Sequence, residues 1–142
     1  MSTRIICIGL LVVVGSMSIS GCSQFASRNT TPGPVMTPEG VKFRYYDPGA
    51  ARVQLAGNWP ENNWARGDGS VGEANVGLMT RGGDGVWEII VPLEAGRYMY
   101  LFWSNDTTWR LDPGNPVEVR GGPRSKASQL IIFLNDGKLE IR

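Results

Sequence analysis

Short runs of alternating apolar and polar residues, separated by turn-forming residues, fill the chain from Val41 to its last residue. The run Val41–Tyr45 alternates strictly, and the run Trp87–Leu93 places an apolar residue at every second position. Such alternation is typical of β-strands, because successive side chains of a strand point to opposite faces of its sheet. Clusters of Gly, Pro, Asn and Asp interrupt the runs roughly every ten residues, and no helix of useful length is indicated. The sequence therefore predicts an all-β domain, an antiparallel sandwich of about seven to eight strands.

The N-terminal residues have a different composition from the rest of the chain. A short positive start at residues 1–4 precedes the apolar run Ile5–Val14, and small residues follow this run. As a helix, a run of this length would span only about half of a hydrocarbon core of ~30 Å. The pattern is typical of a signal peptide, which we assign to residues 1–21.

The segment Ile19–Cys22 resembles the bacterial lipobox, in which the cysteine takes a diacylglycerol before cleavage in front of it. The resemblance implies that Cys22 becomes the lipidated first residue and that the lipid anchors the chain to a membrane. Ser, Thr, Pro, Gly and Asn dominate the next residues, which indicates a flexible tether over 22–38 and a folded domain over 39–142. Ser23 in place of Asp resembles the sorting pattern of outer-membrane lipoproteins, so we expect the protein in the cell envelope.

Charge and residue types exclude several classes of function. The chain has 14 Lys and Arg against 13 Asp and Glu, and it has no His. This balance gives no basic surface for nucleic acid. Cys7 would leave with the signal peptide and Cys22 would be blocked, so neither a disulfide nor a thiol nucleophile would remain. Without His or free Cys, the usual nucleophile–base pairs and transition-metal sites are lacking. We therefore expect no enzyme, no cofactor and no metal.

A series of short motifs appears in a fixed order along the β-rich part of the chain. They are Tyr46–Ala50, Val53–Gly57, Asn62–Trp64, Gly85–Glu88, Leu93, Gly96–Tyr98, Tyr100–Phe102, Trp109 and Asp112–Pro116. They resemble the glycogen- and starch-binding module at the N-terminus of isoamylases and branching enzymes and in the β-subunit of AMP-activated protein kinase. The resemblance covers about Val41 to Leu134. It implies a single immunoglobulin-like (early-set) sandwich that binds an α-glucan or another envelope polysaccharide without catalysis.

The resemblance also implies a binding site. Trp64 and Trp109 match the two tryptophans that cradle the glucan in sugar-binding members, and aromatic rings stack well on the flat C–H faces of sugars. The residues expected to bond sugar hydroxyls are Asn62, Asn63, Ser128 and Gln129. Leu101 departs from the family, because sugar-binding members carry a Lys at this position, so a hydroxyl-bonding cation is lost.

An alternative function comes from the strand around Leu101. Met99, Leu101 and Trp103 alternate with the aromatic positions of the same strand, so both of its faces are apolar. One face of an open antiparallel sheet normally meets water, and an apolar stripe there could dock a partner protein of the envelope. Trp87 is expected in the core, whereas Trp59 and Trp103 fit either a core edge or a binding surface.

Overall fold

The computed structural model describes residues 31–66 and 75–142, in which the regular structure is entirely β. The strands are β1 (Val35–Thr37), β2 (Gly40–Tyr46), β3 (Val53–Gly57), β4 (Thr80–Arg81), β5 (Val86–Val91), β6 (Gly96–Ser104), β7 (Thr108–Arg110), β8 (Glu118–Arg120), β9 (Lys126–Asn135) and β10 (Lys138–Ile141). The pairings between them are antiparallel. Within these two ranges no helix could span a membrane. The all-β sandwich is confirmed, while the expected signal peptide and Cys22 lie outside the described residues.

Two sheets pack face to face around one core. The smaller sheet has the order β1-β2-β5-β4, and the larger has the order β10-β9-β6-β3, with β7 paired to β6 and β8 to β9. Alternation decides which side chains are buried: Val41, Phe43 and Tyr45 of β2 point inward. Trp87 of β5 lies opposite Tyr45 and is buried, as predicted, and its indole N–H donates to the carbonyl of Asp47 at 2.9 Å.

The sandwich begins before the expected boundary at residue 39. Strand β1 pairs with β2, so that Val35 lies opposite Lys42. Thr31 is buried, and its hydroxyl donates to the carbonyl of Arg44 at 2.9 Å. The predicted tether over 22–38 is therefore wrong for residues 31–38, which belong to the folded domain. A strand of three residues among Pro and Thr is too short to show a periodic pattern.

Trp59 lies in the core rather than at a binding surface. Only 5% of its surface is exposed, and its ring stacks on Phe43 at 6.3 Å between centroids and meets Tyr98 edge-on. The ring crosses Gly57, where a Cβ atom would lie 1.7 Å from Cζ3 of Trp59. A glycine at position 57 is therefore required for this packing.

Gly57→Ala is expected to destabilise the domain, because the added methyl would occupy the space of the Trp59 ring. Overpacking of this kind costs about 1–3 kcal/mol. Urea denaturation would measure the loss. Gly83→Ala is the matched control, since a Cβ at position 83 meets nothing within 4 Å. Equal stability of the two variants would contradict the packing of Trp59 over Gly57.

Candidate functional site

The outer face of the larger sheet brings several of the predicted site residues together. The core takes Tyr98, Tyr100 and Phe102 of β6. The opposite side of β6 therefore carries Met99, Leu101 and Trp103. Gln129 of β9 is paired with Met99, and Trp109 of β7 is paired with Trp103. We call Met99, Leu101, Trp103, Trp109 and Gln129 the outer face.

Trp103 and Trp109 form a stacked pair on this face. Their ring centroids are 5.0 Å apart, and their planes are inclined by 7°. Both residues are only partly buried. Trp103 therefore covers one side of the Trp109 ring, and the flat opposite side is not part of this pair.

Trp64 lies on the loop that follows β3, in an unusual backbone conformation. Asn63, Trp64 and Ala65 have φ values of 43°, 59° and 62°. Residues other than glycine rarely adopt this left-handed region, which costs roughly 1–2 kcal/mol for each residue. Strain of this kind is found preferentially at functional sites.

The side chain of Asn62 holds this loop in place. Its Oδ1 accepts hydrogen bonds from the backbone N–H groups of Gly57 and Ala65, at 2.7 and 2.8 Å. Its Nδ2 donates to the carbonyl of Leu55 at 2.7 Å. The next turn of the loop is closed by the N–H of Trp64, which donates to the carbonyl of Gly57 at 2.7 Å. The loop is thus tied to β3 on both sides of Asn63.

The turn between β8 and β9 connects Trp64 with the outer face. A Cβ atom at Gly122 would lie 2.7 Å from Cη2 of Trp64, and a Cβ atom at Gly121 would lie 2.7 Å from Sδ of Met99. Trp64 therefore borders the outer face near Met99, whereas Trp109 lies at the level of Trp103. Four residues of a strand separate these two levels, about 13 Å.

Two predicted contact residues are buried and serve the fold instead. Asn62 is 3% exposed and Ser128 is fully buried. Ser128 has the same orientation on β9 as the core residues, and its Oγ accepts a hydrogen bond from the N–H of Asp112 at 2.9 Å. The expectation that these two side chains bond sugar hydroxyls directly is therefore corrected. Asn63 is exposed and Gln129 is partly exposed, so both remain available to a ligand.

The expected open apolar stripe is also corrected. Leu101 is only 2% exposed, Trp103 is stacked on Trp109, and Met99 packs against Gly121. The chain itself thus covers much of the face that was expected to dock a partner protein. This geometry disfavours the alternative function.

A buried polar cluster lies on the core side of the same strands. The hydroxyl of Tyr100 donates to Oδ2 of Asp112 at 2.7 Å and accepts from Nδ2 of Asn115 at 3.0 Å. Burial raises the pKa of the Asp112 carboxyl, although hydrogen bonds from Tyr100 and the N–H of Gly114 act to lower it. The cluster holds the Asp112–Pro116 segment against the sheet. Among the described residues, no group of three or more acidic, His or Cys side chains could hold a metal ion.

Comparison with solved structures shows the same fold in proteins of much greater length. The maltotriose complex of PulA from Klebsiella pneumoniae is similar at a TM-score of 0.51 and 19% identity, over 75% of this chain and 11% of that one. A ligand-free PulA mutant from the same organism is similar at a TM-score of 0.50 and 21% identity, over 78% of this chain and 10% of that one. This chain therefore spans about a tenth of the length of those proteins.

Comparison with known sequences identifies the family. No curated protein matches the chain. The sequence model of carbohydrate-binding module 48, described as the isoamylase N-terminal domain, matches residues 31–114, more than half of the chain. The match begins at Thr31, where the structure places the start of the sandwich, and it confirms the resemblance seen in the motifs. The chain belongs to the carbohydrate-binding module 48 family.

Proposed function

We propose that this chain is a non-catalytic module that binds an α-glucan on its outer face. Trp64 and Trp109 would stack on sugar rings, while Asn63 and Gln129 would bond hydroxyl groups. The observation that carries the proposal is the strained loop, which the buried Asn62 holds in the conformation that places Trp64 beside the outer face. The maltotriose bound to the similar PulA structure supports an α-glucan as the ligand.

Titration of the full chain with maltoheptaose, followed by tryptophan fluorescence, tests the proposal. Saturable change is expected, because stacking of a sugar alters the surroundings of partly exposed indoles. A shallow site built on two rings should bind weakly, in the range of ligands that bury little surface. A flat response from the folded protein would contradict the proposal.

The geometry makes a specific prediction for Gly122. A methyl group added there would displace the Trp64 ring, whose outer atom Cη2 is close to the Cβ position. Gly122→Ala is expected to weaken binding of maltoheptaose about three- to tenfold, a loss comparable to one aromatic contact. Isothermal titration calorimetry would measure this change.

Gly137→Ala is the matched control for this variant. Gly122 and Gly137 have φ values of 75° and 76°, so the backbone strain of the substitution is the same in both. Only at Gly122 does the new Cβ meet a neighbouring side chain, since nothing lies within 4 Å at Gly137. If the two variants bind equally, Trp64 has no part in the site.

We also propose that lipid on Cys22 anchors the module to the outer membrane. The lipobox-like segment Ile19–Cys22 and the following Ser23 support this proposal. Cys22→Ser is expected to move the protein from the detergent phase to the aqueous phase in a detergent partition of bacterial cells. Cys7→Ser is the control and should leave partition unchanged, because Cys7 lies within the expected signal peptide. Retention of the Cys22→Ser protein in the detergent phase would contradict the anchor.

A further inference from the structure

The wide ring of Trp103 is the support on which Trp109 lies. The register of β6 and β7 places the two residues directly opposite each other, and their rings are parallel within 7° at 5.0 Å. We propose that Trp103 is a positioning residue that orders the indole of Trp109 for binding a sugar. This inference rests on the proposed function, and it assigns a role to a residue to which the family resemblance gives none.

Trp109 needs such support because of its place in the fold. It lies at the centre of β7, a strand of three residues that pairs with β6. A side chain on a short strand of this kind would otherwise change rotamers freely, and a ligand would have to immobilise it. Cross-strand aromatic pairs favour a single arrangement, so the stacked Trp103 fixes the plane of Trp109 before a ligand arrives.

Trp103 is itself held firmly enough to act as a support. On its other side β3 places Gln54 directly opposite, and Gln54 is fully buried with its Nε2 donating to the carbonyl of Val76 at 2.7 Å. The indole therefore lies between an anchored neighbour and Trp109. The positions of the two rings depend on the sheet rather than on a loop.

The indole nitrogen of Trp103 gives a second, independent observation. Its Nε1 is buried, and within residues 31–66 and 75–142 it has no hydrogen-bond partner. A buried N–H without a partner is unfavourable, and phenylalanine would fill part of the same space without it. The indole covers more of the Trp109 ring than a phenyl group can, which explains the presence of Trp at this position.

Circular dichroism of the full chain tests this role together with affinity. Two parallel indoles at this distance couple their transitions and give a pair of opposite bands in the far ultraviolet. We expect this couplet in the wild-type protein, its loss in Trp103→Leu and Trp103→Phe, and its persistence in the wild type saturated with maltoheptaose. Calorimetry should show binding about tenfold weaker in Trp103→Leu and within about threefold of wild type in Trp103→Phe.

Each outcome of these measurements decides the role of Trp103. Wild-type affinity in a folded Trp103→Leu protein would overturn the inference while the proposed function stands. Loss of the couplet on ligand saturation would also overturn it, because the rings would then separate on binding, and this measurement needs no variant that must fold. A folded wild-type protein that shows the couplet but binds no maltoheptaose would refute the proposed function, and the positioning role with it.

Discussion

Replacing Trp64 and Trp109 together by Ala is expected to abolish measurable binding of maltoheptaose and to leave the sandwich folded. The core cluster includes neither residue, and both are partly exposed. Each stacked ring contributes about 0.5–1.5 kcal/mol beyond the area that it buries, so losing both weakens a shallow site by roughly 100-fold. Isothermal titration calorimetry measures the affinity, and thermal unfolding shows that the fold is retained.

Phenylalanine variants provide the control for this experiment. Trp64→Phe and Trp109→Phe keep a flat apolar ring and should retain part of the affinity. Trp87→Ala should instead unfold much of the protein, because Trp87 is buried in the core. Undiminished binding by the folded double Ala variant would show that the ligand lies elsewhere on the molecule.

The second large effect is expected for Asn62→Ala, which should destabilise the domain by about 3 kcal/mol or more. The substitution leaves the N–H groups of Gly57 and Ala65 and the carbonyl of Leu55 without their partner. Each unpaired buried group costs about 1–3 kcal/mol. Urea denaturation followed by circular dichroism would measure the change in the free energy of unfolding.

Two further variants separate the explanations for Asn62. Asn62→Asp can accept both N–H groups but cannot donate to Leu55, so its loss of stability should lie between wild type and Asn62→Ala. Asn135→Ala removes an exposed amide whose bond to Glu140 lies on the surface, and it should change stability little. A loss below about 1 kcal/mol in Asn62→Ala would show that this side chain does not hold the loop.

Much of the fold could be predicted from the sequence, because period-two alternation directly assigns side chains to faces. It correctly placed Trp87 in the core and Tyr98, Tyr100 and Phe102 on the opposite side of β6 from Met99. Turn residues marked where the strands end. Strand β1 was missed because three residues among prolines carry too little pattern.

The candidate site was less predictable, because it depends on contacts between distant parts of the chain. Asn62 looked like a surface amide, and only the three-dimensional path of the loop shows that it bonds the backbone of β3. The stacking of Trp103 on Trp109 depends on the turn at residues 105–107. A slip of one residue in this register would place Trp109 on the other face of the sheet.

The role of Leu101 follows from its burial. It stands where sugar-binding members carry a Lys, and it is covered by its own chain rather than presented to solvent. The outer face therefore lacks a cation at this position, and binding must depend on the rings and on neutral amides such as Gln129. We expect affinity to respond little to salt, because no charge pair at this position would be screened.

The most direct test of the central claim is to follow the indole N–H signals of the chain by nuclear magnetic resonance during a titration with maltoheptaose. The chain has 5 tryptophans, and the structure divides them between the core and the outer side of the larger sheet. The account predicts saturable shifts of the signals of Trp64 and Trp109, with those of the buried Trp59 and Trp87 nearly unchanged. Unchanged signals for Trp64 and Trp109 in the folded protein at saturating sugar would contradict it.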